Sequence, residues 1–289
     1  MIRDAKGTLP FWNERVQHKL ARVESMWAQA ATPAGDPTYA PQYFLELVKE
    51  YLHLVLRCYS RGDAVSELAQ HFGPLLDAWE ESERLGLDVY TADQQYTRHT
   101  WSVNFDHYVV CFWLIGLALT LNIADDHWQR LLALVGNEGE DILLDRVIAS
   151  RSPGRRIGTS LCFKKPYARL LAAIDSPPAE QSKKLREFVD HWYEEMAVIG
   201  KSGRAKQVVP YPHPYWHKLG DENFEGGAYF GRWCIEAVAA VKAFDLDDSL
   251  CLGHEHYPGD LWRPDGPSTH ALRAEPARGL FARLFGKSE

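Results

Sequence analysis

Two histidines near the C-terminus, His254 and His256, are the residues best suited by type and spacing to hold a metal ion. They flank Glu255 in a predicted loop, and imidazole and carboxylate groups are common ligands of zinc. No third ligand stands at an obvious spacing, and a loop histidine can equally be satisfied by a hydrogen bond to the backbone. We therefore expect no metal and no cofactor, with a metal-dependent helical enzyme built on His254 and His256 as an alternative.

The sequence contains none of the common motifs of nucleophilic or nucleotide-binding enzymes, such as GxSxG, GxxxxGK[ST] or GxGxxG. Its cysteines are odd in number, form no CxxC pair and have apolar neighbours. This pattern is typical of reduced, buried thiols rather than disulfides, and a buried thiol without a nearby base is inert. We predict that the chain has no catalytic residue and is not an enzyme. The five thiols are those of Cys58, Cys111, Cys162, Cys234 and Cys251.

Carboxylates in the C-terminal half have structural explanations. Asp247 and Asp248 are adjacent at a predicted helix start, where capping and the helix dipole favour negative charge. Glu236 lies in an apolar stretch of a predicted helix, and a buried carboxylate needs a partner. Since Arg232 stands four residues earlier, we interpret Arg232 and Glu236 as a structural ion pair on one helix face.

A further group of carboxylates occurs in the acidic stretch LLDAWEESERLGLD, which aromatic residues follow. One interpretation is a solvated helix face, because repulsion between carboxylates one turn apart costs only a few tenths of a kcal/mol. The other is a docking strip for lysines and arginines of a partner, with tyrosines as anchors. The candidate partner-binding residues are Asp77, Glu80, Glu81, Glu83, Asp88, Tyr90, Asp93 and Tyr96.

In the segments that carry these residues, apolar side chains recur with the period of a helix. One apolar stripe, for example, comprises Trp12, Val16, Leu20, Val23 and Trp27. Strand-like alternation is almost absent, so we predict an all-α fold of roughly ten helices in two packed modules. The predicted modules are residues 1–145 and 146–265, followed by an irregular tail with a short basic segment at 266–289.

Three segments carry more specific predictions. Residues 91–100 are predicted as a polar connector and residues 224–244 as the last long helix. The longest apolar run, residues 109–121, is about 13 residues long, whereas a membrane span needs about 20. We therefore predict a buried helix and no membrane contact. Because the N-terminus also has no apolar signal core, we expect a cytoplasmic protein.

Charge is distributed unevenly along the chain, whose formal net charge is −7. Residues 1–145 hold 11 Lys and Arg against 21 Asp and Glu, while residues 146–289 hold 21 against 18. An acidic half repels phosphate backbones and attracts basic proteins, so we expect a basic protein partner and no nucleic acid.

Four segments match the pattern of one known family. They are residues 56–63 (LRCYSRGD), residues 163–167 (FKKPY), Trp192-Tyr193, and residues 229–261. The last segment combines aromatic-Gly-x-Trp, x-x-Glu-Ala, Leu-x-Asp-Asp-Ser and Tyr-Pro-x-Asp-Leu. Together they resemble the PoNe-immunity (PoNi-like) family, whose members protect a bacterium from a DNase toxin delivered by type VI secretion.

The resemblance implies a cytoplasmic, all-helical immunity protein that binds and neutralises a cognate nuclease toxin. It leaves open which toxin is bound and whether its active site is occluded. A helical adaptor without a toxin partner is a further alternative, and a homodimer is compatible with the tryptophan-rich surface. The motif residues are expected to hold the fold rather than touch the toxin, by locking a helix to its following loop. They are Trp233, Glu236, Asp247, Asp248, Tyr257, Pro258 and Asp260.

Overall fold

A computed structural model describes residues 1–31, 35–197, 214–222 and 224–270, and every regular element within these ranges is helical. Ten of the α-helices described have eight residues or more, which confirms the prediction of an all-α fold with about ten helices. The helices are α1 (Leu9–Ala30), α2 (Ala40–Arg61), α3 (Val65–Leu68), α4 (Phe72–Val89), α5 (Ala92–His99), α6 (Phe105–Thr120), α7 (Asp125–Val135), α8 (Ile142–Ala149), α9 (Lys164–Ile174), α10 (Pro178–Met196), α11 (Leu219–Glu222) and α12 (Ile235–Phe244).

Three long helices near the N-terminus form a layer, in which α2 packs against both α1 and α4. Helix α1 begins after Thr8, whose hydroxyl accepts a hydrogen bond from the Phe11 N–H. Helix α2 ends at Arg61 and is followed by Gly62, whose φ of 101° is a left-handed conformation that suits glycine. A Cβ at Gly62 would lie 1.7 Å from the Met1 carbonyl oxygen, so the first residues lie directly against the end of α2.

Helix α6 lies at the centre of the core and is buried on nearly all sides, as its apolar sequence predicts. Helix α12 packs against it, and Gly116 permits the close approach of the two helices. A Cβ at Gly116 would lie 2.8 Å from Ile235 Cγ2 and 2.9 Å from Ala239 Cβ. None of the helices described is both long enough and apolar enough to cross a lipid bilayer.

Helices α9 and α10 pair with each other in the C-terminal half, and both also contact α12. The predicted boundary between residues 145 and 146 falls inside α8, which contacts α6 and α12. One cluster of buried apolar residues extends across this point. The division into two modules therefore stays a prediction, and residues 271–289 of the predicted tail lie outside the described residues.

Two of the element predictions are wrong. Residues 91–100 are not a connector but contain α5, which starts with a capping box in which Thr91 and Gln94 bond each other's backbone. The last helix begins at Ile235 rather than at 224, because the preceding chain turns at Gly227 and Gly231, with φ of 85° and 104°.

Candidate partner-binding surface

The eight predicted partner-binding residues, called the acidic strip below, lie on α4, on α5 and on the short link between them. Helix α5 folds back against the end of α4, and Gln95 Nε2 donates to the Gly86 carbonyl oxygen at 2.9 Å. The turn brings the two acidic segments onto neighbouring helices. The members of the acidic strip are Asp77, Glu80, Glu81, Glu83, Asp88, Tyr90, Asp93 and Tyr96.

Three carboxylates of the acidic strip are paired with arginines of the chain itself. Arg130 on α7 binds Asp77 at 2.6 Å and Glu80 at 2.7 Å, and Arg84 binds Glu81 at 2.6 Å. The hydrogen bonds from Arg130 lower the pKa of Glu80 and keep it ionised. Sequence reasoning missed Arg130 because it lies 50 residues from Glu80, and no local spacing reports such a contact.

Glu83 is half-buried and is part of the helix packing rather than of the open surface. Its Oε1 lies 3.3 Å from Trp79 Nε1, which donates to it, and 3.1 Å from His99 Nε2. Burial raises the pKa of Glu83, but the contact with His99, the positive charge of Arg98 and the hydrogen bond from Trp79 outweigh it, and the net shift is downward. Glu83 thus links α4 to the end of α5.

The outer end of the acidic strip is open to solvent. Asp88 and Asp93 are exposed, and the Tyr96 side chain is 59% exposed. Tyr90 is partly buried because the Arg98 guanidinium lies over its ring, 4.0 Å from the centroid. Asp88, Asp93 and Tyr96 are therefore the members of the strip that a partner can reach without breaking a described side-chain contact.

A cleft of about 620 Å³ adjoins the strip where the end of α1, the start of α2 and α4 meet. Tyr39, Phe44 and Leu85 give it apolar walls, while Asp36 and Glu81 lie at its edge. An apolar side chain flanked by a cation fits this combination of apolar walls and carboxylates.

The motif residues of the C-terminal half are engaged in internal contacts. Asp248 binds Arg263 through both carboxylate oxygens, at 2.5 and 2.8 Å, and accepts a hydrogen bond from the Tyr257 hydroxyl at 2.5 Å. Asp247 accepts from the Ser249 N–H at 2.9 Å, and the Pro258 carbonyl accepts from the Leu261 N–H at 3.0 Å. These bonds fix the loop that follows α12.

Asp260 connects this loop to both ends of the described chain. It binds Arg3 at 2.6 Å and accepts hydrogen bonds from Ser268 and Thr269. Arg3 also donates to the Tyr59 carbonyl at the end of α2. The N-terminal segment, α2 and the C-terminal loop are thereby held together.

Trp233 and Glu236 contact other helices, and the Trp233 ring also packs against His270 in the segment after α12, with ring centroids 5.1 Å apart. The Trp233 indole donates to Ser60 Oγ on α2 at 2.8 Å, and the Tyr167 hydroxyl on α9 donates to Glu236 Oε1 at 3.1 Å. Glu236 is fully buried, which raises its pKa to about 7. The expectation that Arg232 shares its helix face is wrong, because α12 begins only at Ile235.

The two candidate metal ligands also make internal contacts. His254 Nε2 lies 3.3 Å from Asp190, its Nδ1 accepts from the His256 backbone N–H, and His256 Nδ1 lies 3.1 Å from the Arg232 carbonyl oxygen. Within the described residues, no group of three or more His, Cys, Asp or Glu side chains could hold a metal ion.

The thiols are held in their protonated form. Burial raises the pKa of Cys58, Cys111 and Cys251 to about 12 each. Cys111 lies 3.4 Å from His107 Nε2, but burial lowers the pKa of that imidazole to about 3. A thiol and a neutral imidazole with such opposed pKa values do not form a thiolate–imidazolium pair at neutral pH.

Comparisons with known proteins agree with this architecture. Residues 5–133 match the family described as PoNe immunity protein (PoNi), N-terminal, and residues 139–261 match PoNe immunity proteins (PoNi), C-terminal. Protein PA2201 from Pseudomonas aeruginosa, solved by crystallography, is similar in fold, with a TM-score of 0.63, 18% identity, and coverage of 89% of this chain and 88% of that one. Among curated proteins, none matches the chain significantly.

Proposed function

The chain belongs to the PoNe immunity protein (PoNi) family, and from this we infer that it binds and neutralises a cognate antibacterial nuclease toxin. The observation that carries the inference is the match of the family's N-terminal and C-terminal regions to residues 5–133 and 139–261. We propose a DNase effector of type VI secretion as the toxin. Since the DNA to be protected is inside the cell, the proposed place of action is the cytoplasm.

The proposed toxin-binding surface is the acidic strip. A DNase must attract an anionic backbone, so it presents lysines and arginines. The six carboxylates of the strip are opposite in charge to such a basic surface. Three of them are paired with Arg84 and Arg130 in the described contacts. The remaining negative charge is greatest at Asp88 and Asp93, which are exposed. Charge complementarity at this end speeds the encounter with a basic protein.

The adjoining cleft extends this surface. Interface energy is concentrated in apolar or aromatic side chains that enter pockets, and charged residues at the rim contribute orientation. A cleft of about 620 Å³ with Tyr39 and Leu85 in its wall gives room for one such side chain of the toxin. Asp36 at its edge would pair with a neighbouring lysine or arginine of the same toxin segment, whereas Glu81 is already bound by Arg84, which also lines the cleft.

Protection from the toxin tests the function itself. Cells that express the toxin gene encoded beside this gene should die, and cells that also express this protein should survive. The purified proteins should form a complex in size-exclusion chromatography. A toxin variant inactivated at its catalytic residue keeps the cells alive in both cases and serves as the control. If the neighbouring toxin kills both strains equally, the proposed function is wrong.

Charge reversal tests the surface. Asp88→Lys combined with Asp93→Lys should slow association with the toxin about tenfold at low salt, and less at high salt, because steering is screened. The matched control is Glu194→Lys combined with Glu255→Lys, the same charge change at two exposed positions of the C-terminal half. Equal effects of the two pairs would mean that net charge, and not the acidic strip, sets the association rate.

A further inference from the structure

Arg98, at the end of α5, has a buried guanidinium that is not paired. Its Nε, Nη1 and Nη2 atoms are all buried, and none has a hydrogen-bond partner. The Tyr90 ring covers one face at 4.0 Å. Gly86 leaves room for it, since a Cβ there would lie 3.2 Å from Arg98 Nη1. The guanidinium is therefore held in position by packing, with its donors unused.

Other buried arginines of the described residues use at least part of their guanidinium in hydrogen bonds. Arg3 donates to the Asp260 carboxylate and to two carbonyls, Arg57 donates to the carbonyls of residues 15 and 227, and Arg155 binds Asp145 at 2.8 Å. A buried cation without a partner destabilises a fold by several kcal/mol. At Arg98, stacking on Tyr90 and the attraction of Glu83 offset part of this cost, and the unused hydrogen-bond donors become satisfied when an acceptor arrives.

The nearby carboxylates do not supply that acceptor. Glu83 Oε1 lies at hydrogen-bond distance from Trp79 and His99. Asp106 accepts from the Tyr215 N–H at 2.7 Å. Asp93 is exposed and makes no described ion pair. The donors of Arg98 are left for a group from outside the chain.

Two cavities meet at Arg98 and Gln42. The inner cavity, about 190 Å³, lies between α2 and α6 and is lined by Lys49 and Asn104 and also by Asp106. The outer one, about 360 Å³, opens beside Tyr90. A carboxylate side chain fits either volume, and the planar fork of arginine matches the two oxygens of a carboxylate. Tyr90 and Asp93 of the acidic strip line the outer cavity, so it continues the proposed interface.

We propose that this Arg98 pocket, formed by Arg98, Gln42, Lys49 and Tyr90, receives an aspartate or glutamate side chain of the toxin; the proposal rests on the proposed function. Basic toxin residues would then face the acidic strip while one acidic toxin residue enters the pocket. Opposite charges at adjacent points fix the register of a complex and exclude partners that lack the acidic residue.

The test uses Arg98→Met and Arg98→Lys in the full chain, with Arg22→Met, at an exposed position of α1, as the matched control. The dissociation constant for catalytically inactive toxin and the melting temperature of the free protein are measured for each. Arg98→Met should weaken binding about thirtyfold or more. It should leave the melting temperature unchanged or raised, since an apolar side chain replaces an unpaired buried charge. Arg98→Lys should give an intermediate dissociation constant, because an ammonium keeps the charge but lacks the planar pair of donors that matches a carboxylate.

A scan of the toxin identifies the carboxylate. Each Asp→Asn and Glu→Gln variant of the toxin is measured against wild type and Arg98→Met. One toxin variant should weaken binding to wild type and have no further effect with Arg98→Met. The same scan against Arg98→Lys decides the question if Arg98→Met does not fold.

Several results would overturn the proposal. Binding to Arg98→Met within threefold of wild type would overturn it and leave the proposed function intact. A loss of binding that follows a lowered melting temperature would assign Arg98 a structural role. Stabilisation of wild type but not of Arg98→Met by inorganic phosphate, without a coupled toxin carboxylate, would indicate a small-anion site instead. If wild type binds no toxin at all, the proposed function fails as well.

Discussion

Replacing Glu236 by glutamine should remove a pH dependence from the stability of the fold. Glu236 lies on α12 and its side chain is fully buried. Burial raises the pKa of its carboxyl from 4.5 to about 7. The Tyr167 hydroxyl, which donates to Oε1, and the indoles of Trp113 and Trp192 act in the opposite direction. Burial is the largest of these effects, so the net shift is upward; neither indole Nε1 makes a hydrogen bond of normal geometry.

The sign of the effect follows from which state holds the proton. Below pH 4.5 the carboxyl is protonated in both the folded and the unfolded chain and contributes nothing to the pH dependence. Between 4.5 and about 7 the unfolded chain releases the proton while the folded chain retains it. Stability therefore falls as pH rises, by about 1.4 kcal/mol per pH unit. The total over this window is about 3 kcal/mol, and the loss is constant above it.

Urea unfolding at intervals from about pH 4 to about pH 8 measures this quantity. The free energy of unfolding of Glu236→Gln minus that of wild type should rise by about 3 kcal/mol across the range. Any fixed cost of placing an amide near the indoles cancels in this change with pH. Glu255→Gln, at an exposed position, is the control and should give a flat difference. A flat difference for Glu236→Gln too, or one that falls with pH, would refute the argument that burial controls this carboxyl.

Two further substitutions address packing and charge. Gly116→Val should destabilise the fold by about 2 kcal/mol or more in urea unfolding, because even its Cβ would lie 2.8 Å from Ile235 Cγ2. The control Gly154→Val, at a position with open space around it, should destabilise the fold much less. Equal losses of unfolding free energy in the two variants would contradict a close approach of α6 and α12. Arg130→Gln should raise the association rate with the toxin severalfold at low salt by releasing two carboxylates, with a stability change within about 1 kcal/mol. The exposed Arg22→Gln is its control, and an equal rate gain there would show that net charge alone is responsible.

The helical fold was predictable because its apolar residues recur with the period of a helix. Trp12, Val16 and Val23 of the predicted stripe are buried on α1, as the spacing requires. Helix α5 was predictable too, since Thr91 followed by Gln94 is a capping-box pattern, but its polar sequence suggested a connector.

The charge pairing of the candidate surface was not predictable, because it depends on distant segments. The acidic residues of α4 were visible as a cluster, whereas Arg130 reaches Asp77 and Glu80 from another helix. Within α4, Glu80 and Arg84 stand one turn apart in the sequence, yet Arg84 binds Glu81. The unpaired guanidinium of Arg98 has no sequence signal at all, since only the packing around it removes its acceptors.

Buried and exposed carboxylates of this protein differ in how much their substitution changes the stability of the fold. Asp248 and Asp260 are almost fully buried and bind arginines, and removing one partner of such a pair costs about 3–5 kcal/mol. Asp88 and Asp93 are exposed, and substitutions at such positions usually change stability by less than about 0.5 kcal/mol. The proposed toxin-binding end of the strip can therefore change with the toxin while the C-terminal contacts keep the fold. With this separation, the surface proposed to bind the toxin can change in sequence without loss of the fold. Exchanging α4 and α5 between two relatives should therefore exchange their toxin specificity, whereas exchanging the loop after α12 should not.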